Sequence, residues 1–208
     1  MSLLKYAVIL LTVVFVGCAY NIKMDPNIEP TANIANSVNL KVGLFIPEET
    51  RGFEVSDNVN LNKYTFQVGE ALESIVTKSI SRVFVHVETL ESYPTQQMIS
   101  QRNLDIVVIA KVTSGKVSLN LKQGFFQNSA EGSTALSVQL VFYDHEMLQL
   151  TTVVGSGMGI GSEGLTFSTG KKEYSASLES ALRNLGDDMV HQINGNYDIR
   201  KKAEGMEQ

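Results

Sequence analysis

The stretch VVGSGMGIGSEG, residues 153–164, carries a glycine pattern that could hold a phosphate. Gly159, Gly161 and Gly164 spell G-x-G-x-x-G, the turn in which a helix amino terminus meets a dinucleotide pyrophosphate. That chemistry needs the helix to begin at once. Here LTFSTGKKEY intervenes, and the helical pattern opens near Ser175. A P-loop fails as well: Gly164 and Gly170 stand one residue too far apart, and Lys172 occupies the place of the magnesium-binding hydroxyl. No nucleotide is expected. Read as a strand, Gly155, Gly157, Gly159 and Gly161 share one face, with Ser156, Met158 and Ile160 on the other. A bare strand face admits a closely packed last helix, or it offers a flat surface to a partner.

The remaining reactive side chains do not assemble by spacing. His86 lies between Val85 and Val87 in a strand, His145 in the turn YDHEM, and His191 on a helix away from its apolar stripe. None sits in a nucleophile motif, and no H-x-x-x-H or acidic calcium loop occurs. Asp187 and Asp188 are helix neighbours whose side chains diverge by about 100°; with Glu48 and Glu49 they read as solvated carboxylates. The expectation is a protein without catalytic residues, metal or cofactor. The single cysteine, Cys18, rules out an internal disulfide. A net charge of -5 without a basic run speaks against nucleic acid.

Cys18 belongs to a different chemistry. Residues 1–17 have a positive start at Lys5, a short apolar run from Tyr6 to Val16 and small Gly17 before the cysteine. The run is shorter than the roughly 20 residues a spanning helix needs and has the form of a secretory signal. Phe15, Val16, Gly17 and Cys18 resemble the lipobox of bacterial lipoproteins. The resemblance implies a lipid on Cys18 as the new first residue, and Ala19 after it implies the outer membrane, periplasmic face. Acyl carbons at about 0.8 kcal/mol each would hold the protein there without a spanning segment.

The elements that must position these residues follow from periodicity. Residues 18–37, with Pro26, Pro30 and several Asn, read as a flexible tether from the lipidated cysteine. Residues 38–195 read as one domain, and 196–208 as a charged, disordered tail. VNLKVGLFIP alternates as a strand, and a weaker strand lies near Leu61 to Phe66. Val68, Ala71, Leu72, Ile75, Val76, Ile80, Val83 and Phe84 form one helical stripe. FVHVETL then reads as a strand, TQQMISQR as a short helix, DIVVIAKV as a central strand continued by KVSLNL, and QGFFQNSAEGS as a loop. Two strands with a turn at Asp144 to Glu146 precede a last helix.

This order predicts an α+β fold, a two-layer sandwich with a mostly antiparallel mixed sheet and two main helices on one face. The element order, V68-G69-E70-A71-L72 leading into F84-V85-H86-V87, and a glycine-rich strand before the last helix resemble a group of envelope lipoprotein domains. The group includes the TolB amino-terminal-like fold and the lipopolysaccharide-assembly lipoproteins. The resemblance implies a non-enzymatic accessory or assembly component of an envelope complex, touching envelope proteins or its own copies. Contact would run through Phe125, Phe126 or the four glycines. The alternative is a carrier or receptor for an apolar, envelope-derived ligand, seated between helices and sheet or near the same residues.

Overall fold

A computed structural model describes residues 19–59, 62–123, 128–164 and 171–205. The strands are β1 (Ala19–Lys23), β2 (Val38–Phe45), β3 (Glu54–Val59), β4 (Asn62–Gln67), β5 (Phe84–Leu90), β6 (Ile106–Gln123), β7 (Asn128–Asp144) and β8 (Gln149–Gly164). The helices are α1 (Glu48–Arg51), α2 (Gly69–Val83), α3 (Gln96–Arg102), α4 (Lys171–Asn194) and α5 (Tyr197–Glu204). The main sheet runs β5-β2-β6-β7-β8. It is parallel across β5, β2 and β6 and antiparallel across β6, β7 and β8. This is the α+β architecture expected, with α2 and α4 as the main helices packed on one face.

Three features depart from the single-sheet expectation. β1, β4 and β3 form a second, three-stranded sheet. It shares the helical layer: Phe53 and Val55 press on Gly115 of β6, and Tyr64 and Phe66 pack on Tyr174 of α4 at ring separations of 5.3 and 5.0 Å. The opposite face is not bare throughout, because α3 covers a small second core of Leu90, Ile99, Leu104, Val107 and Ile109. The long ribbon extends further than expected, since most of the supposed loop QGFFQNSAEGS is strand paired from Gln123–Asn128 onward.

β6 shows why its sequence changes phase. Ile106, Val108 and Ala110 face the core, and so does Val117, an odd position. A bulge between Val112 and Ser114 inserts the extra residue, with Thr113 and Ser114 both exposed. A one-residue slip would otherwise turn every later apolar side chain to solvent.

The two segments expected to be loose are packed. β1 pairs in parallel with β4, and Ile22, Met24, Ile28 and Ala32 are buried. Burying a side chain the size of Ile22, Met24 or Ile28 contributes about 1.5–3 kcal/mol, and polar clamps add to it. Lys78 Nζ donates to the Ile28 carbonyl at 3.1 Å and Arg82 to the Ala32 carbonyl at 3.0 Å. The Asp187 carboxylate accepts from the amides of Thr31 and Ala32, the latter at 2.7 Å, and from Thr31 Oγ1. At the other terminus Asn196 caps α5, accepting from the Asp198 and Ile199 amides, and Ile199 is fully buried. The folded body therefore runs from Ala19 to Gly205, where residues 38–195 were expected. No described helix is long and apolar enough to cross a membrane.

Candidate functional site

The glycine strip is consumed inside the fold. α4 lies antiparallel along β8, and each glycine meets the helix one turn further on. A Cβ on Gly161 would stand 2.2 Å from the Glu173 carbonyl oxygen, one on Gly159 2.0 Å from that of Ser177, and one on Gly157 2.0 Å from that of Ala181. On Gly155 it would meet Met189 Cγ at 2.3 Å. The match is geometric. Two strand residues advance about 6.7 Å and four helix residues about 6 Å, so glycine at every second strand position faces a helix residue at every fourth. Close helix packing was one of the two uses open to the strip. The other, glycines offered to a partner, is corrected: all four are buried under α4. A helix lying along the glycines also leaves no phosphate cradle there.

What the strip leaves outside is the reverse face of β8. Val154, Met158 and Ile160 point away from α4 and are 51%, 74% and 68% exposed. β8 is an edge strand, so its outer backbone groups are also in play. Part of that edge is already closed. The Ser156 amide donates to Asp188 Oδ2 at 2.8 Å, and Asn184 Nδ2 donates to the Met158 carbonyl at 2.7 Å. Two helix residues one turn apart thus reach over the edge. Of the carboxylates read as solvated, Glu48 and Glu49 are exposed, whereas Asp188 closes the edge of β8 and Asp187 grips the segment at Thr31 on the other flank. Burial pushes the Asp187 carboxyl up, but the hydrogen bonds from Thr31 and Ala32, with His191 nearby, outweigh it and hold it below its ordinary value.

Beside the apolar stripe the open face turns polar. Ser137 and Gln139 of β7 pair with Ser156 and Val154, and the Ser118 and Ser133 hydroxyls hydrogen-bond at 2.7 Å. Toward α3 the same face forms a concavity of about 530 Å³ whose lining includes Phe45, Tyr93, Ile109, Val141 and Tyr143. Phe45 and Tyr93 meet edge to face at 5.6 Å, and Tyr93 is 58% exposed. In the sequence Met158 and Ile160 stand only as the reverse of the glycines, and no periodicity marks the concavity. Its signal was the aromatic in SYP after strand β5. The interior between helices and sheet, proposed for a ligand, is instead filled by side chains and by the α4–β8 contact.

Phe125 and Phe126 lie outside the described residues, as does Cys18. His86, His145 and His191 are exposed on three separate elements. Among the described residues no three His, Cys, Asp or Glu side chains converge as a metal site. A second concavity, about 600 Å³, lies over the segment Asp25–Asn33 and is lined by Arg82, Glu179 and Arg183. Its charged groups are in part engaged in holding that segment, as in the Glu29 pairs with Lys78 and Arg82.

No protein-family model and no curated protein matches the chain. Among solved structures it is similar to a minor lipoprotein from Acinetobacter baumannii (15% identity, 77% of this chain and 95% of that one, TM-score 0.43). It is also similar to a PelC dodecamer from Paraburkholderia phytofirmans (15% identity, 75% and 94%, TM-score 0.32). A third is lipoprotein GNA1162 from Neisseria meningitidis (12% identity, 75% and 99%, TM-score 0.31). Two of the three are lipoproteins by name. Each superposes only loosely, and none of them bears on what this chain does.

Proposed function

We propose that this chain is a lipid-anchored component of the bacterial envelope, held at the outer membrane through Cys18, that works by protein contact and not by catalysis. The observation that carries the contact reading is the exposure of Val154, Met158 and Ile160 on the outward face of an edge strand, with Ser156 between the first two. Exposed apolar side chains gathered on one edge mark association surfaces. The polar remainder of the face would form the rim around that apolar centre. The occupant is an envelope protein or a further copy of this chain.

The test has two parts. The mature protein should carry acyl chains on Cys18 and fractionate with membranes, and Cys18→Ser should release it. Met158→Glu with Ile160→Glu should leave the fold intact by circular dichroism and dissolve the complex seen on native electrophoresis of detergent-solubilised membranes. An unmodified, soluble mature chain, or an unchanged complex in the double variant, contradicts the reading.

A second reading is favoured by one observation, the concavity between Phe45, Tyr93 and Tyr143. A carrier would hold an apolar ligand there, and gentle native mass spectrometry of the purified protein would show the added mass. Tyr93→Ala should remove it.

A further inference from the structure

The strand order gathers the start of β1 and the open ends of the long ribbon at one end of the molecule. Ala19 pairs with Lys63, which lies opposite Asn58 near the tip of the β3–β4 hairpin. Asp57, one residue along, accepts from the Leu119 amide of β6 at 3.1 Å. Leu119 is level with Gly132 and, through it, Gly161. The last pairs of the ribbon, Gln123–Asn128 and Ser129–Gly164, lie beyond that level. The opposite end holds the start of β2 at Val38 and the Asp144–Met147 turn.

Cys18 directly precedes Ala19. On the lipid-anchor reading, on which this inference rests, no slack separates the acyl chains from a fixed strand. Successive Cα atoms are about 3.8 Å apart. All five residues of β1 are in register with β4, and Ile22 and Met24 are buried. A free tether of residues 19–37 would have reached roughly 60 Å and left the body's orientation open. We infer that the Ala19 end of the body rests on the bilayer surface. The last pairs of the ribbon, beyond the Ala19 level, then enter the headgroup layer. The rest of the ribbon rises away from the membrane, and Val154, Met158 and Ile160 face sideways, toward neighbours in the plane of the bilayer.

The side chains at this end suit a headgroup layer. Tyr20, partly exposed, stacks on Tyr64 with ring centroids 5.1 Å apart. Lys63, paired with Ala19, and Lys171, at the start of α4, are exposed at this end. Tyrosine settles at the membrane–water interface, and lysine is drawn to anionic headgroups.

The chain has no tryptophan and one cysteine, which acylation consumes, so an introduced cysteine is a unique label. Lys63→Cys and Glu146→Cys place labels on exposed positions separated by roughly 40 Å along the ribbon. The lipidated full chain is reconstituted in vesicles containing phosphatidylglycerol and a headgroup-level nitroxide lipid. The Lys63→Cys fluorophore is expected to be quenched several-fold and the Glu146→Cys fluorophore to keep its intensity. Equal quenching, or stronger quenching at position 146, overturns the orientation even when acyl mass and flotation are intact. Absent acyl mass with no flotation overturns the anchor reading beneath it.

Discussion

Gly159 of β8 lies so close beneath Ser177 of α4 that a methyl group on its Cα would stand 2.0 Å from the Ser177 carbonyl oxygen. The obstacle is backbone, which cannot rotate away. Gly159→Ala must therefore push α4 off the sheet locally. It is expected to lower stability by about 3 kcal/mol, near the upper range for overpacking. Gly205→Ala is the control, since its Cβ would meet nothing closer than 3.5 Å; it should shift stability by less than about 0.5 kcal/mol. Urea denaturation followed by circular dichroism reads both.

Asn184 and Asp188 are expected to protect the β8 edge more than they stabilise the fold. Replacing both with Ala frees the Ser156 amide and the Met158 carbonyl for another strand. Water can satisfy both groups in the monomer, so the expected stability loss is only about 1 kcal/mol. Self-association should rise markedly. Sedimentation velocity against protein concentration checks it, and an unchanged monomer fraction would contradict it.

Tyr174 joins the small sheet to α4, its hydroxyl donating to Asp57 Oδ2 at 2.5 Å. Burial first, then the Asp57 carboxylate, pushes the Tyr174 hydroxyl far above its ordinary range. An acid whose folded pKa is raised contributes stability that is present below its unfolded value, about 10, and is lost as pH rises beyond it. Tyr174→Phe should cost about 1–2 kcal/mol at neutral pH. It should also remove this part of the alkaline loss above about pH 10. Denaturation midpoints from pH 7 to 11 in both proteins decide it.

The grip of Asp187 on Thr31 and Ala32 has the opposite sign. A carboxyl held below its ordinary value contributes stability that is present above about pH 4 and is lost as pH falls through the lowered folded value. Asp187→Asn should speed hydrogen exchange of the Thr31 and Ala32 amides at neutral pH. The difference from the parent should close only in acid, below the ordinary carboxylate range.

The parts legible in the sequence were those governed by local period. The α2 stripe, the alternation in β2 and β7, and the glycines at every second position of β8 each belong to one element. They appear in the fold much as read. What stayed hidden depends on distant partners. Pro26, Pro30 and the asparagines of residues 19–37 look like a linker, yet Asp187, Lys78 and Arg82 hold that segment from two helices. The tail looks too polar to fold, yet Asn196 caps it and a single Ile199 anchors it. For the candidate site, the sequence showed which face of β8 was bare but not which face would be covered. That depended on the match between four helix residues and two strand residues, which fixes the glycines inward and leaves Met158 and Ile160 outside.

The central claim is that the chain acts by contact through this outward face. Photocrosslinking amino acids placed at Met158 and Ile160, and at Glu179 and Arg183 on the exposed side of α4, test it most directly in living cells. The account expects strong, discrete adducts from positions 158 and 160, to an envelope protein or to a second copy, and little from 179 and 183. Equal adducts from all four positions, or none from 158 and 160, would contradict it.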